Sequence, residues 1–450
     1  MASSVVDSVP RYGEAVWKVE PFGVDPVPAP ERHGKPISQL TLWLGSNLTI
    51  ADYALGFLPI ALGMPWSWTV AALLVGNTLG AWVLGLFAAM GPRYGLPQLM
   101  IGRYFLGRIG NYIPGLFNYV STIGWFSVNN ILGSYGLRIL WPGLSFWQAA
   151  ILLVFIQGLI AVLGHNLIHT YERIMSVVLG IMFLLVSAVV WHKSPLLTAY
   201  HPVLHSPWVT FAIMVAAAFS YIGSWGPYAS DYSRYLPAST PARPVIGASF
   251  AGAWIASVWL ELVGAAVAVI AGPEASNPIG ALHHVMGGYG NLAVVAIILG
   301  GTAADALNLY SNALSAGALD IRLPRWAMAL MASGIGLGLS LWGSGTFQTY
   351  YSNFLLLLGY WMTPWMGVLL AGFYLRRDRD LPLQAVRPRG LISFLIGLAV
   401  SVPFMNTTWF EGPIAHALGG ADLTFWVGFS VALVIYLFWP NPASSLSAES

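Results

Sequence analysis

The sequence predicts an all-α integral membrane protein with twelve transmembrane helices, and three observations carry that prediction. Of 450 residues, 57% are hydrophobic and 8% are charged, whereas a soluble domain is about 45–50% apolar and about 25% charged. Apolar stretches near the ~20 residues that a helix needs to cross a bilayer recur along the chain. With the N-terminus inside, every one of the 19 lysines and arginines except Arg138 and Lys193 falls in a cytoplasmic segment, which fixes the orientation.

The spans follow in order. The first, 40–64, is apolar but contains Gly45, Ser46, Asn47, Thr49 and Asp52, followed by Gly56 and Pro59. The second, 67–91, stops before Arg93. The third, 112–136, follows Arg103 and Arg108. The fourth, 147–164, and fifth, 172–191, meet near Arg173. The sixth, 208–230, runs through Gly223-Ser224-Trp225-Gly226-Pro227 towards Asp231 and Arg234. The seventh, 244–271, begins after Arg243 and holds Glu261. The eighth, 289–317, holds Asp305; the ninth, 326–344, follows Arg322 and Arg325. The tenth, 352–375, stops at Arg376 and Arg377, the eleventh, 390–405, follows Arg387 and Arg389, and the twelfth is 423–439. Residues 1–38 and 441–450 read as cytoplasmic tails, 39–200 and 201–380 as two five-span units, and 381–440 as two extra helices.

Several chemistries are excluded. There are no cysteines, hence no disulfide or thiolate metal site. No HExxH, Walker or dinucleotide motif occurs. His283 and His284 are adjacent in a predicted outer loop and would diverge on a helix, so no metal site is assigned. No nucleophile–base pair at recognisable spacing suggests an enzyme. The net charge of +2 reflects topology, not a nucleic-acid partner.

Spans one and six carry the functional signal. Proline removes a helix hydrogen bond and glycine permits unwinding. Unwound backbone at membrane depth is tolerated where it lines a cavity or is buried in protein. Interrupted spans in corresponding positions of two repeats point to a transporter's binding site, and these two are five apart. Polar stripes join them. Thr122, Trp125 and Asn129 share one face of span three; Thr302, Asp305, Asn308 and Asn312 form a stripe on span eight. Such stripes also glue membrane helices together. The inventory suits a flat, neutral heterocycle, sandwiched by Trp125 and Trp225. Asn129, Asn308, Asp305 and backbone around Gly223 and Ser224 would read its edge. Asp52, Glu261 and Asp305, at membrane depth without a cation, mark a carrier of protons or ions. Glu261 is left outside the core site, a structural hydrogen bond being an equal reading. Asp231 and Arg234 are assigned a structural or gating role.

At these residues the chain resembles the nucleobase:cation symporter-1 family, purine–cytosine permease branch. The likeness rests on PFGVDPVPAPER at 21–32, TLWLGSNLTI at 41–50, GWF at 124–126, SWGPYASDYSRYLP at 224–237, ALNLYSNALS at 306–315 and NFLLLLGYWMTPW at 353–365. It implies a five-plus-five inverted repeat (LeuT-like) with discontinuous helices one and six, alternating access, and cation-coupled import of a nucleobase across the plasma membrane. It places a stacking tryptophan at Trp125, an upper aromatic at Trp225, backbone contacts at Gly223 to Trp225, and a ring-reading group at Asp305, where relatives commonly carry Asn. Sodium-coupled relatives place two hydroxyl residues just before that position, where this chain has Ala303 and Ala304. The expected coupling ion is therefore H⁺, carried by Asp52 and Asp305 with Thr302 nearby, and no cofactor is expected. The alternatives are a Na⁺ symporter of hydantoin, allantoin or a thiamine-precursor pyrimidine, and a channel or uniport pore. No oligomeric state is specified.

Overall fold

The computed structural model describes residues 22–163, 165–202, 206–272, 277–321, 323 and 325–440, without the side chains of 159–173, 303, 306, 307, 310, 325 and 326. Arg11, Lys18 and the last ten residues lie outside it, as do the side chains of Arg173, Arg322 and Arg325. All twelve spans form helices. Span one is α1 (Ile37–Asn47), α2 (Ile50–Leu55) and α3 (Phe57–Ala61); spans two to five are α4 (Trp66–Ala88), α7 (Tyr112–Leu140), α8 (Phe146–Leu163) and α9 (His165–His192). Span six is α11 (Pro207–Gly223) and α12 (Ala229–Ser233); spans seven to ten are α13 (Ala242–Ala271), α15 (Gly290–Ala318), α16 (Arg325–Gly343) and α17 (Phe347–Leu370), and the last two are α18 (Pro388–Ser401) and α20 (Thr424–Phe438). Short connecting helices are α5 (Gly91–Tyr94), α6 (Gln98–Leu106), α10 (Pro195–Thr198), α14 (Pro278–Met286) and α19 (Pro413–Ala417).

His283 and His284 therefore sit on a helix, α14, where a loop was expected. Asn277 starts that helix, its side chain accepting from the amides of Ile279 and Gly280, with Pro278 at the first helical position. The outer surface matches a bilayer: Phe155, Trp191, Leu330 and Phe438 are each at least two-thirds exposed, which water would penalise and hydrocarbon does not.

The helix pairings obey a pseudo-symmetry. α1 packs on α13 and α4 on α11; shifting each by five spans exchanges the two pairs. Likewise α7 packs on α16 and α15 on α8. This is the arrangement of two inverted five-helix repeats. Spans one, two, six and seven form one bundle, held at glycines. A Cβ at Gly252 would lie 2.4 Å from Leu40 O, and one at Gly76 would lie 2.6 Å from Val215 O. Small residues let backbones touch where lipid offers no hydrophobic drive.

Both breaks are present. Leu48 (φ −77°, ψ 66°) leaves the α1 helix, and Thr49 (φ −126°, ψ 159°) is extended. Thr49 Oγ1 accepts from the Asp52 amide at 3.3 Å and so caps α2, with the Asp52 side chain in its first turn. In span six, α11 ends at Gly223, a 3₁₀ turn holds Gly226–Tyr228, and α12 resumes at Ala229.

The N-terminal segment crosses one end of the bundle. The Val27 amide donates to Gly95 O (2.9 Å) and the His33 amide to Tyr235 O (2.6 Å). Arg32 holds Val27 O and Pro92 O, and buried Arg234 donates to Gly23 O (2.7 Å).

Candidate substrate site between two helix breaks

The break in span one and the break in span six face the same space. A small cavity is lined by Thr49 and Ala51 of the first break, Tyr221, Ser224, Trp225 and Tyr228 around the second, Trp125 and Asn129 of α7, and Ala304 and Asn308 of α15. Four helices from both repeats thus contribute, each through residues that unwinding or helical spacing brings to one wall.

Both tryptophans line it. Trp125 is held by edge contacts to Tyr221 (5.3 Å) and Phe354 (5.1 Å). Trp225 donates Nε1–H to Asn47 Oδ1 (3.0 Å) and meets Trp43 edge-on. Asn47 in turn donates to Trp43 O, so the last turn of α1 fixes the Trp225 ring. Each indole is locked by neighbours other than a ligand, which is preorganisation for stacking.

Asn129 and Asn308 also line the cavity, whereas Asp305 does not. Asp305 is fully buried behind Asn129, whose Nδ2 donates to its Oδ1 at 3.1 Å. A side chain expected to read the substrate directly lies outside the lining and accepts from an asparagine that lines it. Three further residues expected at the site lie outside this lining. Thr122 lies a turn away, accepting from Asn312 (2.7 Å) and donating to Tyr119 O; the stripe there joins two helices. Gly223 is in the seam between α11 and α4, its amide 3.3 Å from where a Cβ on Gly80 would sit. Thr302 turns its hydroxyl back to Leu299 O (2.7 Å). Ser224 does line the cavity, and its hydroxyl donates to Tyr221 O.

Tyr221 and Tyr228 escaped the sequence reading, and Thr49 was read as part of the first break without being assigned to the site. Tyr221 precedes Ser224 by three residues, one helical turn before the break, and that spacing was the available signal. Its hydroxyl meets Thr49 Oγ1 at 2.8 Å, joining the two broken spans.

A smaller cavity beside the first break is lined by Gly45, Leu48, Thr49, Met175, Ser176, Leu179, Gly300 and Ala304. A hard cation needs several oxygen ligands. Ala304 supplies no side-chain oxygen, and Thr49 Oγ1 is engaged by Tyr221 and the Asp52 amide. Ala303 lies on α15, its side chain outside the described residues.

Asp52 and Glu261 come together. Both are fully buried, and each is among the other's electrostatic neighbours. Asn77 Nδ2 donates to Glu261 Oε2. The separation left the pair illegible beforehand: the two residues lie on spans one and seven, on faces with no shared pattern. Asp231 accepts from the Gln98 amide (2.9 Å), and neither it nor Arg234 lines the cavity.

The fold is that of known carriers. The solved structure of MHP1, a nucleobase-cation-symport-1 family transporter in a closed conformation with bromovinylhydantoin bound, superposes with a TM-score of 0.75 at 19% identity, covering 93% of this chain and 94% of that one. The inward-facing conformation of Mhp1 gives 0.74 at 18% identity, covering 93% and 92%. In sequence, the chain is 28% identical to the putative purine-cytosine permease YxlA of Bacillus subtilis, covering 94% of this chain and 96% of the relative. It is 24% identical to the purine-cytosine permease fcyB of Emericella nidulans, covering 94% and 88%. Residues 26–428 match the family described as permeases for cytosine/purines, uracil, thiamine and allantoin. The chain belongs to that family, as a multi-pass membrane permease and not an enzyme.

Proposed function

We propose that the protein imports a neutral nucleobase, cytosine or a purine, across the plasma membrane in symport with a proton, with both termini in the cytoplasm. The observation that carries this reading is the cavity itself: two preorganised tryptophans and two asparagines converge between two helix breaks. A planar ring stacks on indole faces, and amide groups discriminate its edge hydrogens because a mismatched partner leaves them unpaired. Relatives named purine-cytosine permeases support the substrate class.

Alternating access follows from residues 39–200 and 201–380 moving against one another around the cavity. Proton coupling is favoured over sodium by the lack of a side-chain oxygen at Ala304 and by buried carboxyl groups unaccompanied by a cation. One charge crossing about 100 mV suffices to concentrate a neutral base roughly 50-fold.

The test uses the purified full chain. A panel of bases and hydantoins is screened for thermal stabilisation, since any ligand that binds the folded state raises its melting point. Uptake into proteoliposomes is then measured with H⁺ and Na⁺ gradients imposed separately. Stabilisation by cytosine or a purine and accumulation driven by H⁺ alone are expected. Stabilisation only by hydantoins or allantoin, or accumulation driven only by Na⁺, overturns the corresponding part. Equilibration without accumulation under either gradient would indicate a uniporter or pore.

A further inference from the structure

We propose that Asp52 and Glu261 form a proton-holding carboxyl pair that carries the coupling proton and is wired to the substrate cavity through Thr49 and Tyr221. The proposal rests on the symport reading above and supplies its ion site, with Glu261 in the role first assigned to Asp305.

The backbone fixes the pair. α2–α3 and α13 touch at two glycines: a Cβ on Gly56 would lie 2.0 Å from Glu261 O, and one on Gly264 would lie 2.0 Å from Tyr53 O. No side chain separates the helices there, so the carboxyls of Asp52 and Glu261 are held side by side with no exposure. The groups facing them come from four other places. Asn77 reaches in from α4, Ser257 from the preceding turn of α13, Tyr221 from α11 and Tyr351 from α17. The titratable members are the two tyrosines. Neither is a cation.

Hydrogen-bond accounting then favours a proton on the pair in this conformation. Asn77 satisfies Glu261 Oε2. By strict geometry Glu261 Oε1 and both oxygens of Asp52 have no partner, the Ser257 hydroxyl being the donor that faces Asp52. Even with Ser257 donating to Asp52, two ionised carboxylates would leave two of these acceptors unmatched and facing like charge in a low-dielectric site. A single proton on one carboxyl turns it into a donor to the other and removes both problems. On the outer side, hydronium gives its proton to the anionic pair, forming one O–H bond. On the inner side, that bond breaks and the proton leaves with water. One positive charge crosses with each neutral base.

The same residues connect the pair to the cavity. Thr49 Oγ1 accepts from the Asp52 amide, and the Tyr221 hydroxyl meets that same oxygen. Thr49, Ala51 and Tyr221 all line the cavity, while Tyr351 donates to Ala51 O (2.9 Å). A ring seated in the cavity therefore bears on the turn that carries Asp52. A permanently protonated, purely structural pair is the competing account, and it predicts no change of protonation during transport.

Full-length protein in liposomes and radiolabelled cytosine decide between them. Wild type should accumulate cytosine under an imposed pH gradient. Glu261→Gln should abolish accumulation above the external concentration yet retain cytosine counterflow, which needs translocation but no net proton movement. Retained accumulation in Glu261→Gln overturns the proposal, and so does loss of counterflow in a folded variant. Infrared difference spectra across a pH step supply a readout independent of transport. A carboxylic C=O band that titrates in wild type and is lost in Asp52→Asn supports the pair; no titrating band in wild type refutes it, even where a variant fails to fold. If wild type neither binds nor moves cytosine, the substrate reading fails, and the infrared result still judges the pair.

Discussion

Asn129, which lines the cavity, donates one Nδ2 hydrogen to Asp305 Oδ1 across 3.1 Å, and its own carbonyl oxygen is buried without a partner. A carboxyl group that can accept from Nδ2 selects one of the two flips of an amide. The oxygen that remains can accept from a ring amino or N–H group. Asp305→Asn removes that preference, because an asparagine at 305 can donate or accept. The expected result is a fall of about tenfold in the affinity ratio of cytosine to uracil, the worth of a hydrogen bond of about 1–1.5 kcal/mol. Competition binding with the two bases measures it, and an unchanged ratio removes the orienting role.

Trp125→Ala should weaken base binding by ~1–3 kcal/mol, the range for base–aromatic stacking. Trp225→Ala should do likewise and in addition release Asn47 Oδ1 from its only described donor. Calorimetric titration of folded protein is the measurement. Undiminished affinity in both variants would exclude the sandwich.

The glycine seam predicts a stability asymmetry along one helix. Gly264→Ala drives a methyl into Tyr53 O and should cost about 1–3 kcal/mol or more. Gly247→Ala, on the same helix with nothing within 4 Å of its Cβ, should be neutral or mildly stabilising. Melting temperatures of both variants in detergent check this.

Asp320 follows α15 in the left-handed region (φ 57°). A hydrogen bond from Tyr112, then one from Arg103 (2.8 Å), hold its carboxyl below the usual range. A lowered native value means that its stabilisation is present above the unfolded value of about 4 and is lost as pH falls through the native one. Asp320→Asn, which keeps a side chain tolerant of this backbone, should lower stability near neutral pH by less than about 1 kcal/mol, given the partial exposure. The difference from wild type should shrink as unfolding is followed towards about pH 3. A difference independent of pH would refute the assignment.

Much of the fold was legible because its signals are local. Gly45 to Asp52 and Gly223 to Pro227 show interrupted helices in the covalent chain, and their five-span separation shows the repeat. Trp125 and Asn129 followed from helical spacing, but spacing does not say which neighbour a face meets. Thr122 shares that face and meets Asn312, because the helices cross at an angle and only part of a stripe reaches the cavity. Asp305 lies behind Asn129 and outside the lining, and depth behind another side chain has no periodicity to read. The Asp52–Glu261 contact depends on backbones meeting at Gly56 and Gly264, which only tertiary packing reveals.

The segment from Gly23 to His33 has a bearing on rate. It is tied to Gly95, which follows span two, and to Arg234 and Tyr235, which follow span six, so one short peptide is stitched across both halves of the molecule. Parting the halves at this end of the molecule requires unpicking it, so those few bonds weigh against any opening there.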